Sequence, residues 1–293
     1  MRHGSPARSP TDLRSADMII DEVAPAKINL ALHVRARRDD GYHDLETLFA
    51  FLRHGDAVRV EPSDTATFAL TGPFGAALQG EGDNLVTRAA SAFAASFGGG
   101  PWAITLDKHL PIASGIGGGS ADAAAMLRAL ARLGSIATDD ARLFAIAETL
   151  GADVPACLLG RSAVGTGKGE QLVPIDGLSG VPVLLVNPGV AVSTGAVFRL
   201  WDGVDRGPLG EGPLLARALA GRNDLEPMAR TLAPVIGDVV ARLAAMPGVM
   251  LARMSGSGAT CFALFDDEDA CSEAAVAIRR DQPGWWCLES ALA

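Results

Sequence analysis

The apolar positions of this chain change their period several times, and each change marks an element. Over residues 27–35, Ile28, Leu30, Leu32 and Val34 fall on one side while Lys27, Asn29, Ala31, His33 and Arg35 fall on the other. This is the two-residue period of a strand. Residues 18–23, 57–61 and 67–71 read as further strands, with Pro25 suited to a turn or strand edge and Asp39-Asp40-Gly41 to a turn. The period then lengthens. Over 84–97, Leu85, Ala89, Ala92, Phe93 and Phe97 share one helical face, and after residue 120 Ala123, Met126, Leu127, Leu130 and Leu133 repeat at i, i+3, i+4 and i+7. A third helix is predicted over about 139–150 with Thr138 as its N-cap.

Further on, 163–173 looks like a glycine-interrupted hairpin, and a break at 175–182 precedes a new apolar strand over 183–187. A polar, Gly/Pro-rich stretch (202–213) and a helix near 234–246 follow. The chain then runs strand (249–253), loop, strand (260–265), helix (268–280) and strand (286–290). Strands and helices mix without regular βαβ alternation, which predicts an α+β fold. With 293 residues two domains are expected, and the division proposed is 18–175 and 176–293. Residues 1–17, with Arg2, Arg8 and Arg14 among Ser and Pro and no apolar core, read as a disordered tail rather than a secretory signal.

Composition narrows the function. A net charge of −9 argues against a non-specific nucleic-acid surface, yet it leaves room for a local phosphate site. No apolar run approaches the roughly 20 residues of a membrane span. Cys157, Cys261, Cys271 and Cys287 show no C-x-x-C or Cys/His clustering and read as buried thiols of a reducing compartment. A cytoplasmic location is expected by default.

The densest chemical signal is residues 111–125, PIASGIGGGSADAAA. Gly115, Gly117, Gly118 and Gly119 lie between a predicted strand (101–107) and a predicted helix that begins near Ser120. Glycines let backbone approach an anion closely and adopt positive φ, and a helix start supplies unpaired N–H groups and a positive dipole end. A phosphate is the natural occupant. Lys108 precedes the loop instead of following it, so this is no G-x-x-x-x-G-K-[ST] loop, and the dinucleotide spacing of glycines is also missing.

Four more segments stand out: Pro25-Ala26-Lys27-Ile28-Asn29-Leu30, Gly41-Tyr42-His43-Asp44-Leu45, Leu150-Gly151-Ala152-Asp153-Val154-Pro155, and Met254-Ser255-Gly256-Ser257-Gly258-Ala259-Thr260. Each alone has a plain alternative: a solvated strand charge for Lys27, a packed turn for Tyr42-His43, a helix cap for Asp153, a tight turn for Ser255–Gly258.

Taken in order, the Lys27 segment, the 111–125 loop and the Ser255–Thr260 loop resemble the three signatures of the GHMP kinase superfamily, the small-molecule kinases of the galactokinase, homoserine kinase and mevalonate kinase type. The resemblance covers the chain from about residue 23 to its end. It implies a ribosomal-S5-domain-2-like N-terminal domain carrying ATP and a ferredoxin-like C-terminal domain. It also implies that Asp153 is the catalytic base, with Lys27 beside it stabilising charge on the transferred phosphoryl group. The loop Pro111, Ile112, Ala113, Ser114, Gly115, Ile116, Gly117, Gly118, Gly119, Ser120 and Ala121 would wrap the ATP phosphates, with Lys108 near the adenine end. Within the superfamily, the Lys27, Tyr42-His43 and Asp153 segments resemble a member whose alcohol substrate carries a cytidylyl group. Asn29 and His43 would then hold the cytidine, and Tyr42 and Phe198 would sandwich its base, Phe198 following Asn187-Pro188-Gly189 and Ser193-Thr194. Mg²⁺ is implied as the companion of ATP with no protein ligand assigned, and Asp122 is expected to point away from the phosphates. A monomer or weak homodimer without nucleic-acid partner is expected. The rivals are a GHMP kinase for another small alcohol and a non-enzymatic S5-like nucleic-acid-binding module.

Overall fold

The computed structural model describes residues 18–79 and 84–293; the tail assigned to 1–17 lies outside them. The chain opens on a long antiparallel pair, β1 (Ile20–Arg37) and β2 (His43–Pro62). The turn joining them is the Asp39-Asp40-Gly41 segment, with Gly41 at φ 85°. Pro25 does not end a strand: it sits inside β1, where the register against β2 shifts between Pro25 and Lys27, a place that tolerates a missing N–H. β3 (Thr67–Thr71), β4 (Trp102–Asp107), β5 (Ala163–Gly167) and β6 (Gln171–Pro174) complete a six-stranded sheet of order β3-β4-β2-β5-β6, with β1 paired to β2. Helices α1 (Leu85–Phe97), α2 (Gly118–Leu133), α3 (Ala141–Leu150) and α4 (Val154–Leu159) pack on it. Their shared core includes Phe49, Val58, Leu106, Val86, Phe93, Met126, Leu127 and Leu143.

Two helix starts differ from their sequence reading. Asp140, not Thr138, caps α3, its carboxylate accepting the Arg142 N–H at 2.9 Å. Asn84 caps α1 by accepting the Val86 N–H at 2.8 Å. Both satisfy a donor that the first helical turn leaves without an acceptor.

The second sheet is built from β7 (Pro182–Asn187), β8 (Val249–Met254), β9 (Cys261–Phe265) and β10 (Trp286–Ala291), all antiparallel in the order β10-β7-β9-β8. Helices α5 (Thr194–Leu200), α6 (Leu214–Ala220), α7 (Glu226–Leu232) and α8 (Val235–Ala244) lie between β7 and β8, and α9 (Glu268–Asp281) between β9 and β10. Strand, helices, strand, strand, helix, strand in that spatial order is the ferredoxin-like arrangement. Of these helices, the short α5, α6 and α7 carry no clear sequence signal.

A seam joins the sheets. Ala26, Ile28, Leu30, Leu48 and Leu52 of the first pack with Val183, Leu185, Phe262 and Leu264 of the second. Each buried Leu or Ile there contributes about 1.5–3 kcal/mol. The alternation of β1 therefore does not divide core from solvent. From Ala26 to Val34 every residue is buried, because loops cover the side that carries Lys27, Asn29 and His33.

Candidate active site

Three loops meet over the middle of β1. The Lys27 N–H donates to Ile116 O at 3.0 Å, and the Thr260 N–H donates to Ser114 O at 3.0 Å. The Asn29 N–H donates to Ser255 Oγ at 3.2 Å, and that hydroxyl donates onward to Gly115 O at 3.0 Å. One serine thus ties strand, glycine loop and C-terminal loop together. Gly115 shows how close the approach is: at φ 78°, a Cβ there would lie 2.6 Å from Gly258 O and 2.7 Å from Ser255 O. Asn223 braces the C-terminal loop, its amide donating to Met254 O and Gly256 O, both at 2.8 Å. Arg253 adds hydrogen bonds to Leu30 O, Ala218 O and Gly221 O. Neither residue has a signal in sequence, since the loop and strand carbonyls they bond are distant along the chain.

The glycine loop ends in a helix start without a side-chain cap. Gly117, left-handed at φ 66°, is the N-cap of α2, and the first helical bond runs from Ala121 N–H to Gly117 O at 2.8 Å. The N–H groups of Gly118, Gly119 and Ser120 therefore have no acceptor in the helix, and Gly119 is exposed. Unpaired N–H donors at the positive end of a helix dipole suit an anion. Positive φ belongs to Ala113, Gly115 and Gly117; Gly118 is already helical and needs its missing side chain for another reason. A Cβ on it would lie 3.0 Å from Lys108 Nζ. Along the outer arm, Ile112 and Ala113 are exposed beside Pro111, Ser114 Oγ donates back to Pro111 O at 2.6 Å, and Ile116 and Ala121 are buried.

Lys108, expected near the adenine end of the nucleotide, is buried beneath the loop. It is 3% exposed, with its ammonium on Asp122 Oδ2 at 2.7 Å and on Asp56 Oδ2. Asp56 also accepts the N–H groups of His109 at 2.5 Å and Leu110 at 2.7 Å through Oδ1. Burial works against the Lys108 charge, yet Asp122 and Asp56 outweigh it and hold its pKa above the ordinary lysine range. Burial pushes Asp122 up to about 8; Lys108 counters this in part and the Asp56 charge adds to it. Asp122 turns inward beneath the loop, onto Lys108. Asp56, a single buried carboxylate in a half-exposed stretch of β2, carries no motif in the sequence.

Lys27 and Asp153 do come together. Lys27 Nζ lies 2.8 Å from Asp153 Oδ2 and donates to Asn29 Oδ1 at 3.0 Å. Its stem runs under the loop: a Cβ on Gly117 would lie 3.0 Å from Lys27 Cε. Asp153 stands at the N-cap position of α4 but makes no capping bond, and its side chain keeps 37% exposure against 4% for Lys27. Asn29, expected on the cytidine, is instead buried at 3%. Its amide takes Lys27 at Oδ1 and donates to Thr47 Oγ1 at 2.7 Å. It orients the lysine.

Farther along the hairpin, the His43 ring lies 4.8 Å from Phe198 at 33°, and Trp201 meets His43 edge-on at 5.6 Å. Burial, then the Arg37 charge, lower the His43 pKa, so its imidazole is neutral at pH 7, and its Nε2 is buried without a partner. Tyr42 is 54% exposed, with Lys168 Nζ 4.7 Å above its ring. Among the described residues no ring contact joins Tyr42 to Phe198. Likewise no cluster of metal-ligating side chains occurs among them, and no helix is long and apolar enough to cross a membrane.

Comparison with known proteins agrees with this geometry. Residues 84–161 match the GHMP kinases N terminal domain and residues 209–283 the GHMP kinases C terminal domain. The 4-diphosphocytidyl-2-C-methyl-D-erythritol kinase of Rhizorhabdus wittichii is 59% identical over 92% of this chain and 94% of its own length. That of Novosphingobium aromaticivorans is 48% identical over 98% and 97%. A crystal structure of 4-(cytidine 5'-diphospho)-2C-methyl-D-erythritol kinase superposes with a TM-score of 0.77 at 39% identity, covering 94% of this chain and 99% of that one. Homoserine kinase from Cytophaga hutchinsonii, at 18% identity and a TM-score of 0.67 over 98% of this chain and 97% of its own, shares the fold. This chain belongs to the GHMP kinases and, among them, to the 4-diphosphocytidyl-2-C-methyl-D-erythritol kinases.

Proposed function

We propose that this protein transfers the γ-phosphoryl group of ATP to the 2-hydroxyl of 4-diphosphocytidyl-2-C-methyl-D-erythritol, a step of non-mevalonate isoprenoid precursor synthesis. The observation that carries the chemistry is the Lys27–Asp153 pair at 2.8 Å beside an uncapped, glycine-led helix start. Phosphoryl transfer asks a protein mainly for positioning and electrostatic stabilisation. Asp153, the more open partner, accepts the proton of the attacking hydroxyl. Lys27 pairs with that carboxylate and turns a remaining N–H toward the transferred group. The first-turn N–H groups of α2 hold the phosphates. Mg²⁺ is carried by the phosphates of ATP, where it neutralises their charge; we assign it no protein ligand.

The alcohol is selected through its remote end. Tyr42 and Phe198 flank the cytosine, and His43, neutral with a buried Nε2 lacking a partner, meets its polar edge. Stacking of this kind is worth about 1–3 kcal/mol per base. Phe198→Ala should therefore weaken the cytidylyl substrate about 5- to 150-fold with ATP affinity barely changed, and CDP should compete with the alcohol and only weakly with ATP. ADP release measured with and without the cytidylyl alcohol tests the whole reading. Equal loss of ATP and substrate affinity in Phe198→Ala would leave only a GHMP kinase of other specificity. We further propose a domain border at 175–176, a monomer or weak homodimer, and a cytoplasmic location with no nucleic-acid partner.

A further inference from the structure

Beneath the phosphate loop lies a buried group that the transfer step does not use. Asp56 of β2 and Asp122 of α2 share one ammonium, that of Lys108 just past β4. Two carboxylates and one cation leave one negative charge in excess, almost out of contact with water: Asp56, Lys108 and Asp122 are 1%, 3% and 2% exposed. The lysine sits directly under Gly118, so that charge lies below the N–H groups that receive phosphate. The two acids are not equivalent. Asp56 accepts three hydrogen bonds, from Lys108, His109 N–H and Leu110 N–H, while Asp122 accepts one and has Oδ1 buried without a partner. Both carboxyls bond the same ammonium nitrogen and are therefore close neighbours, where two ionised groups would repel and one proton would relieve the repulsion.

We propose that Asp56, Lys108 and Asp122 form a positioning device for the phosphate loop in which Asp122 holds a proton shared with Asp56 when nucleotide is bound, so that nucleotide binding takes up a proton from solution. Asp56 fixes the start of the loop through two backbone N–H groups, and Asp122 anchors the first turn of α2. The proton comes from water and converts the Asp122 carboxylate to a carboxylic acid; no other bond changes. The bound phosphates are anionic, so they favour the protonated, uncharged triad over the charged one. Among the described residues the nearby titratable groups have other partners: next to Lys108, the exposed His109 ring lies 2.8 Å from Asp107 Oδ2. β1 brings Lys27, already paired with Asp153 at the head of α4, and α4 brings Cys157, whose thiol is pushed far up by burial and then by the Asp153 charge. α1 and α3 meet α2 through Val86, Ala89, Phe93, Leu143 and Ile146.

This rests on the glycine loop being the ATP phosphate site, and the test separates the two. Calorimetry of ATP with magnesium, without acceptor, in buffers of differing ionisation enthalpy between about pH 8 and 9.5 reads both affinity and protons exchanged. The expected result is proton uptake in the wild type, with affinity falling about tenfold per unit by which nucleotide raises the Asp122 pKa. Uptake should be absent and affinity level with pH in Asp122→Asn. An infrared difference spectrum of the wild type on adding nucleotide should gain a protonated-carboxyl band, a readout that does not depend on the variant folding. Tight binding without uptake, or uptake that persists in Asp122→Asn, overturns the proposal and leaves the kinase reading intact. Failure of ATP to bind overturns both.

Discussion

Asp153 illustrates how a residue's surroundings decide its role. At an N-cap a carboxylate ordinarily accepts a first-turn N–H, but this one makes no such bond and meets Lys27 at 2.8 Å instead. Asp153→Asn keeps the shape and removes the charge. It should lower kcat by about 10²- to 10⁴-fold, the usual weight of a general base, while calorimetric ATP affinity stays unchanged. Activity within about threefold of wild type would remove Asp153 from that role. Lys27→Ala should also act mainly on kcat, since its contribution is realised in the transition state. A rise confined to the KM for ATP would make it a ground-state phosphate binder. Asn29, which orients Lys27 and bonds to Thr47, marks a limit of reading residues singly. A polar side chain on a strand beside the site suits a substrate contact and a positioning contact equally, and only its partners distinguish them.

Elements were legible in proportion to their length and exposure. α1, α8 and α9 each bury one stripe, so their apolar period survives in the sequence; α2 is buried nearly all round from Ala121 to Ala131, and its period shows only in the spacing of its large apolar residues among alanines. The middle of β2 does not show itself, because Thr47 to Leu52 are all buried and alternation fades when both faces are covered. α4, with six residues, and α5, α6 and α7, with seven each, span too few turns to establish a period. The glycine loop and the helix after it stand out in the sequence, but the partners of its glycines do not: Gly115 faces the Ser255–Gly258 loop and Gly118 faces Lys108. Asn223 belongs to the same hidden class. Its amide satisfies two carbonyls of the C-terminal loop and its Oδ1 accepts the Leu225 N–H at 2.9 Å. Asn223→Ala leaves these buried groups unpaired, at about 1–3 kcal/mol each. Urea unfolding should show a midpoint well below wild type with the slope preserved. An unchanged midpoint would mean that water replaces the amide.

For the molecule as a whole, the question is what binds the ends of the fold to the long hairpin at its centre. Besides the apolar seam, a strap between α5 and α7 crosses β1 and is held by polar groups: Asp224 Oδ2 accepts the Val34 N–H at 2.9 Å, and the Leu32 N–H donates to Arg222 O at 2.8 Å. His33, buried at this crossing, lies 3.1 Å from Gly207 O through Nδ1 and accepts the Arg222 N–H at 3.2 Å through Nε2. A carbonyl can only accept and an amide N–H can only donate, so the ring is neutral with its proton on Nδ1. Burial, and next the Arg222 charge, lower its pKa. Because the folded state binds this proton less readily than the unfolded chain, the stability His33 contributes is complete above the ordinary histidine range, near pH 6.5. It is lost as pH falls through the lowered folded value. Protonation would place a second N–H against the Arg222 amide and release the strap from β1. Urea unfolding at several values between about pH 7.5 and 5.5 should show declining stability in the wild type. His43, lowered for a similar reason, contributes in the same direction. His33→Gln should be less stable at pH 7.5 and distinctly less sensitive to acid. If its acid sensitivity equals that of the wild type, the strap is held by its backbone and ion-pair contacts alone, and the titration belongs elsewhere.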